Sequence, residues 1–160
     1  MSDTQVLDTA TRDDFDRWIE LAAEVEYLFG PMCSEPEFRS ALEESIEQGR
    51  AWCVKGCNAD CGSTLCGGII VEPEENKIAW LAVAKDCRGL GIGRLLLNAA
   101  LQALDTSRDI PVQTFAAEHP DGVPARTLYL SAGFSDLAAA EPTPTGVPTV
   151  VMVRPGDSNE

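Results

Sequence analysis

The sequence predicts an α+β (mixed α/β) domain built on one central sheet. Three observations carry this. Short apolar runs of strand character (AWCVK, TLCGGIIVE and KIAWLAVA) follow one another in mid-chain with turns between them. Apolar residues at helical spacing precede that meander. After it, helix and strand patterns alternate, which is the order that crossover connections produce.

The elements follow in chain order. Gln5 to Thr9 alternates weakly and reads as a first strand. Thr11 followed by Asp13, Asp14 and Phe15 is a helix start. Trp18, Leu21, Ala22, Val25 and Leu28 continue it at helical spacing to about Leu28. FGPMCSEP breaks that helix, and Pro36 to Gln48 reads as a second, with Phe38, Leu42 and Ile46 on one face. Ala51 to Lys55 and Thr64 to Glu72 read as a strand hairpin, Pro73 to Asn76 as a turn, and Lys77 to Ala84 as a further strand. That last strand is apolar on nearly every residue, so it belongs at the centre of the sheet. Gly91 to Leu104 reads as a third helix, Pro111 to Ala117 as a strand, and Val123 to Ala132 as a short fourth helix ended by Gly133. Asp136 to Pro148, rich in Ala, Pro and Thr, reads as a loop, and Thr149 to Val153 as the last strand.

A chain of 160 residues fits one domain (1–160, with a flexible tail from about 155) and can bury a real core. The formal net charge of −14 argues against nucleic acid and against anionic membrane surfaces as partners. It is compatible with a cationic substrate. No run approaches the roughly 18 apolar residues of a membrane span. The acidic, polar N-terminus is not a signal peptide, so a cytoplasmic location is expected.

Six cysteines are present, four of them in WCVKGCNADCGSTLCGG. Cys53 and Cys66 read as strand residues, leaving Cys57 and Cys61 in the turn between. Plain thiols, a metal site and a redox pair all remain open for this cluster. Cys87 and Cys33 stand apart from it.

The strongest local signal is AKDCRGLGIGRLLL, with glycines at 89, 91 and 93, an arginine at each side (Arg88, Arg94), and Lys85 close by. It joins a buried strand to a helix. The first N–H groups of a helix lack internal partners, and the helix dipole adds positive character there, so such a loop suits a phosphate. A nucleoside-triphosphate loop would continue Gly-Lys-Ser/Thr, but here Gly93 is followed by Arg94 and Leu95. A dinucleotide fingerprint would have its third glycine at position 94, which is arginine.

Arg88-Gly89-Leu90-Gly91-Ile92-Gly93 resembles the Arg/Gln-x-x-Gly-x-Gly/Ala signature of the GNAT superfamily of N-acetyltransferases. ARTLYLSAGF (Ala125 to Phe134) is similar to that family's Ala-x-x-Leu-Tyr-x-x-x-Gly-Phe helix end. The two motifs stand in the family's order, one helix and one strand apart. The resemblance spans about Ala51 to Phe134. It implies a central mixed, mostly antiparallel sheet of six to seven strands flanked by about four helices.

The resemblance also implies a function, N-acetyl transfer from acetyl-CoA to a primary amine in a ternary complex. No metal and no covalent enzyme intermediate is required. The pyrophosphate of acetyl-CoA (coenzyme A) would lie on backbone amides of Arg88, Gly89, Leu90, Gly91, Ile92, Gly93 and Arg94. The pantetheine arm would pair with Leu81, Ala82 and Val83, with an amide near Val83 polarising the thioester carbonyl. Tyr129 aligns with the tyrosine that protonates the departing thiolate. Gly122 departs from the pattern, because the family often has an asparagine there that supports the cofactor arm. Phe29 and Met32, between the first two helices, would line the acceptor pocket or simply pack in the core. Glu118 is a candidate general base, with Glu72, His119 and water as alternatives. The acceptor is a small-molecule or peptide amine, and many relatives in the family are homodimers. A non-catalytic acyl-CoA-binding or sensor domain on the same fold is the other reading, since a fold does not fix a function. A metal-binding redox module built on the cysteine cluster is a third.

Overall fold

The computed structural model describes residues 6–26, 30–31, 33–55, 65–89, 91–116 and 120–157. Its strands are β1 (Val6–Thr9), β2 (Ala51–Lys55), β3 (Leu65–Glu72), β4 (Lys77–Val83), β5 (Ile110–Phe115), β6 (Ser135–Ala140) and β7 (Thr149–Arg154). They form one seven-stranded sheet in the order β1-β2-β3-β4-β5-β7-β6. Every neighbouring pair is antiparallel except β4 with β5. Four α-helices lie among the described residues: α1 (Phe15–Glu24), α2 (Pro36–Glu47), α3 (Ile92–Ala103) and α4 (Val123–Ser131). This is the predicted mixed α+β class, and the apolar strand KIAWLAV does lie at the centre of the sheet. No helix of the described residues is long and apolar enough to cross a membrane.

Each helix meets the sheet through the residues its spacing marks. Trp18, Leu21 and Ala22 are buried on α1, Leu42 and Ile46 on α2, and Ile92, Leu96, Leu97 and Ala100 on α3. Two adjacent glycines in β3 show how tightly these layers close. A Cβ on Gly68 would stand 2.6 Å from Cη2 of Trp18 on α1, and one on Gly67 would stand 2.9 Å from Cδ1 of Leu96 on α3. Successive strand residues point to opposite faces, so α1 and α3 cover opposite sides of the sheet. Trp80 of β4 joins the α1 side, its ring 5.6 Å from Trp18 and 6.2 Å from Phe38 of α2. Gly68→Ala is therefore expected to cost about 1–3 kcal/mol, because a fully buried indole cannot step aside in a packed core. Thermal unfolding checks this, and an unchanged melting temperature would show that Trp18 has room to move.

The start of α1 carries a buried carboxylate. A 3-10 turn, Arg12–Asp14, leads into the helix. The Thr11 amide and hydroxyl donate to Asp14 Oδ2 at 2.9 and 3.3 Å. Lys55 Nζ of β2 lies 3.3 Å from Asp14 Oδ1. Burial pushes the Asp14 carboxyl up, but the Thr11 amide and the Lys55 ammonium outweigh it and hold it below its ordinary 3.8. The folded state thus binds this proton more weakly than the unfolded chain does. The resulting stability is present above the unfolded value and is lost as pH falls through the lowered one. Urea midpoints should drop as pH is taken below about 3.8, and Asp14→Asn should flatten that acid limb while lowering stability at neutral pH. An identical acid limb in the variant would remove Asp14 from the account.

Two features differ from the sequence expectation. Ser135–Ala140 is the edge strand β6, paired with β7 from Ser135↔Val153 to Ala140↔Thr149, although Asp136 to Ala140 reads as part of a loop. Its side chains are exposed from Ser135 to Ala139, so no alternation betrays it, and backbone bonding alone makes it a strand. Helix α1 is interrupted at Val25, which caps it after Glu24; Glu26 is helical again, and residues 27 and 28 of the expected helix lie outside the described residues. Near the C-terminus, the Gly156 and Asp157 amides donate to Asp109 Oδ1 (2.9 Å) and to the Thr106 carbonyl (2.7 Å) of the loop before β5.

Candidate functional site

The parallel neighbours β4 and β5 meet at Ile78↔Val112, and no further register pair joins them among the described residues. Beyond that point they splay. The Ala84 amide donates to the Cys66 carbonyl at 2.7 Å, so Ala84 faces β3. Antiparallel bonding alternates, so Val83 and Leu81 turn their N–H and C=O groups the other way, towards the splay. Burying such groups without partners is costly, which marks the edge as a place where something else pairs. One partner is already in view: Arg88 Nε sits 3.4 Å from the Val83 carbonyl.

Between the splayed strands lies a cleft of about 570 Å³. It is lined by Leu81, Ala82 and Val83 on one wall and by Val112 through Phe115 on the other. The glycine turn closes one end, with Arg88, Gly89, Gly91, Ile92, Gly93 and Arg94 all on its surface. The glycines serve two ends. Gly89 and Gly91 both adopt φ near +81°, the left-handed region, and a Cβ on either would meet nothing within 4 Å. The space over the first amides of α3 is therefore open. Gly93 instead allows close helix packing, because a Cβ there would stand 3.1 Å from Cδ2 of Leu128 on α4. Free amides at a helix start beside two arginines suit an anionic group such as a phosphate.

Tyr129 of α4 reaches the same cleft. Its side chain is buried, with its ring 5.3 Å from that of Phe134. Burial pushes its phenol well above the ordinary 10.0, so the hydroxyl keeps its proton throughout the neutral range. Gly122 is the N-cap of α4. A Cβ there would fall 2.5 Å from Cβ of Phe115, so Phe115 takes the room that any side chain at 122 would need.

The cleft thus gathers Leu81, Ala82, Val83, Arg88, Gly89, Gly91, Ile92, Gly93, Arg94 and Tyr129 in one place. Leu90, Glu118, Phe29 and Met32 lie outside the described residues, as do His119, Cys57 and Cys61. Glu72 ends β3 opposite Lys77 and does not line the cleft. Sequence reasoning missed Trp80, Gln113, Thr114, Thr143 and Thr149, which also line it. The Trp80 indole nitrogen is buried with no acceptor among the described residues. Polar Gln113 and Thr114 inside an otherwise apolar strand were the available signal, whereas Thr143 arrives from a loop distant in sequence.

Of the described cysteines, Cys87 lines the cleft. Cys33, Cys53, Cys66 and Cys87 form no disulfide. Burial, with the Asp14 carboxylate beside it, pushes the Cys53 thiol up to about 12. Burial and Glu26 raise Cys33 to about 11. Both stay protonated at neutral pH and are poor nucleophiles. Among the described residues no group of three or more His, Cys, Asp or Glu is placed to hold a metal ion.

Comparison with known proteins agrees with this architecture. The family model for the acetyltransferase (GNAT) domain matches residues 48–136. The solved N-acetyltransferase of Staphylococcus aureus Mu50 superposes with a TM-score of 0.73 at 11% identity, covering 96% of this chain and 99% of that one. The ribosomal-protein-S18-alanine N-acetyltransferase of Escherichia coli gives 0.68 at 15% identity, over 98% and 97% of the two chains. A chain of the NatC complex bound to Gag peptide and CoA gives 0.71 at 18% identity, over 97% and 99%. At these identities the likeness is one of fold. No curated protein sequence matches the chain.

Proposed function

From the premise that this chain belongs to the GNAT acetyltransferase family, we propose that it transfers the acetyl group of acetyl-CoA directly to a primary amine of a small molecule or peptide. The observation that carries this is the stretch of β4 past Ile78, from which β5 splays away, running into an open glycine turn, with a buried, protonated tyrosine on the same cleft. The fit of coenzyme A rests on three points of geometry. The amides of Gly89 and of Gly91 to Arg94 leave room for a pyrophosphate, Arg88 and Arg94 supply counter-charge, and the Leu81 and Val83 edge offers a strand-like partner to an amide-bearing arm.

Acetyl-CoA supplies an activated thioester. The chain's own groups do the rest. The Val83 amide, turned towards the cleft, donates to the carbonyl oxygen as it gains charge. Tyr129 holds a proton on its Oη for the leaving sulfur. A thiolate is a fair leaving group, so a weak phenolic acid suffices. Glu118 or solvent takes the proton of the amine. Two bound reactants held at one cleft remove the need for a covalent enzyme intermediate.

The test is turnover. Purified chain is incubated with acetyl-CoA and spermidine, L-lysine, kanamycin or an alanine-terminated hexapeptide, and acetylated product is read by mass spectrometry. Product with any of them supports the enzyme. Acetyl-CoA binding with no product from any amine favours a non-catalytic acyl-CoA-binding domain. No binding at all removes the cofactor reading.

A further inference from the structure

Helix α4 is held unusually. Of its nine residues Tyr129 alone is buried. An amphipathic helix is normally fixed by a stripe of several buried side chains, as α3 is by four. Beside that ring, the half-buried Ala125 and Leu128 pack against the core, so α4 is held by one fully buried side chain and two partial ones.

Arg126 adds a polar hold to this packing. Its side chain is 12% exposed, against 50% for its partner Asp136 on β6. Nη1 donates to Oδ1 at 2.9 Å and Nη2 to Oδ2 at 3.1 Å, a parallel fork of two charged hydrogen bonds. The same Nη1 reaches the Phe115 carbonyl at the cleft end of β5, at 3.5 Å. Asp136 lies where the β6–β7 register shifts, opposite Met152, whose sulfur is 4.0 Å from the guanidinium. One side chain therefore ties α4 to three strands, one helical turn before Tyr129.

We infer that Arg126 is a positioning residue. Its fork to Asp136 fixes the roll of α4 and so aims the Tyr129 hydroxyl into the cleft, while its contact with Phe115 holds the end of β5 against that helix. This rests on the proton-donor role given to Tyr129 above. Lysine cannot replace it fully, because an ammonium is a single point of charge and lacks the planar fork.

The experiment is a double-mutant cycle on kcat, using whichever amine of the panel the wild type acetylates fastest. Arg126→Met is expected to lower kcat about tenfold, within what one acid–base group contributes. Its KM for acetyl-CoA should stay within about twofold of wild type, because the glycine turn is untouched. Arg126→Lys should fall between the two. In a Tyr129→Phe background the Arg126→Met loss should vanish, since residues acting through one another are non-additive. A residue that only braces the fold would reduce kcat by the same factor in both backgrounds, and that result overturns the inference. So does an unchanged kcat in Arg126→Met. If that variant does not fold, Asp136→Asn takes its place in the cycle. A wild type that binds acetyl-CoA but acetylates no amine removes the enzyme reading and this inference together. A wild type that turns over alongside an additive cycle removes this inference alone.

Discussion

Replacing Gly91 with aspartate is expected to abolish acetyl-CoA binding while leaving the chain folded. Gly91 is the N-cap of α3, at φ 81° and ψ 11°. That left-handed geometry is one aspartate tolerates better than most residues, at a cost of about 1–2 kcal/mol. The backbone strain is the whole structural penalty, because a Cβ there meets nothing within 4 Å. The new carboxylate sits over the open amides of α3, satisfies them from within, and repels a pyrophosphate. Affinity measured by titration calorimetry should fall at least about 100-fold, equivalent to about 2.7 kcal/mol. Gly49→Asp is the control. Gly49 is also left-handed, at φ +73°, with nothing within 4 Å of a Cβ, but it does not line the cleft. It carries the same conformational cost and should bind acetyl-CoA as wild type does. If Gly91→Asp binds as well as Gly49→Asp, the anion site is not at this turn.

The two glycine turns show what can be read from a sequence and what cannot. At 89 to 93 the composition itself states the need, because left-handed backbone and an unobstructed helix start both call for residues without a Cβ. The centre of the sheet was legible for a similar reason. KIAWLAV is apolar on both faces, and only a strand covered on both sides is stable so written. β6 was illegible because an exposed edge buries nothing, so SDLAAA carries no period. The splay of β4 from β5 was not legible from residues alone, since register between strands thirty residues apart is decided by how the whole sheet closes. Only the family resemblance pointed that way, through the cofactor arm it would pair with Leu81, Ala82 and Val83.

Within the candidate site the division is the same. Tyr129 was marked by a local motif. Arg126 stands inside that motif, yet nothing in ARTLYLSAGF says that its partner is Asp136 or that its other contact is the Phe115 carbonyl. Gly122 looked like the loss of a supporting side chain. The structure gives its physical reason, which is the ring-bearing Phe115 pressed against the place where a Cβ would go. Such choices are made between elements, and a linear pattern does not record them.

Tyr129→Phe should separate chemistry from binding. The substitution removes one oxygen and keeps the ring that packs against Phe134. Acetyl-CoA affinity should therefore hold, since the glycine turn and the β4 edge are unchanged. kcat should fall about 100-fold, the lower end of what a positioned general acid provides. The pH profile adds a second check with a definite sign. Burial raises the phenol above its ordinary 10.0, so the wild-type acid stays protonated up to and beyond that value. Loss of rate from deprotonation of Tyr129 should therefore appear only on the alkaline side of pH 10, and any limb at lower pH belongs to the amine or its base. Rates measured from pH 6 to 10 should run parallel for the two proteins, displaced by a constant factor. A variant as fast as wild type would show that the leaving thiolate departs unaided, and Tyr129 would then be a packing residue of α4. A variant that is slow only above some lower pH would place the titrating acid elsewhere in the cleft.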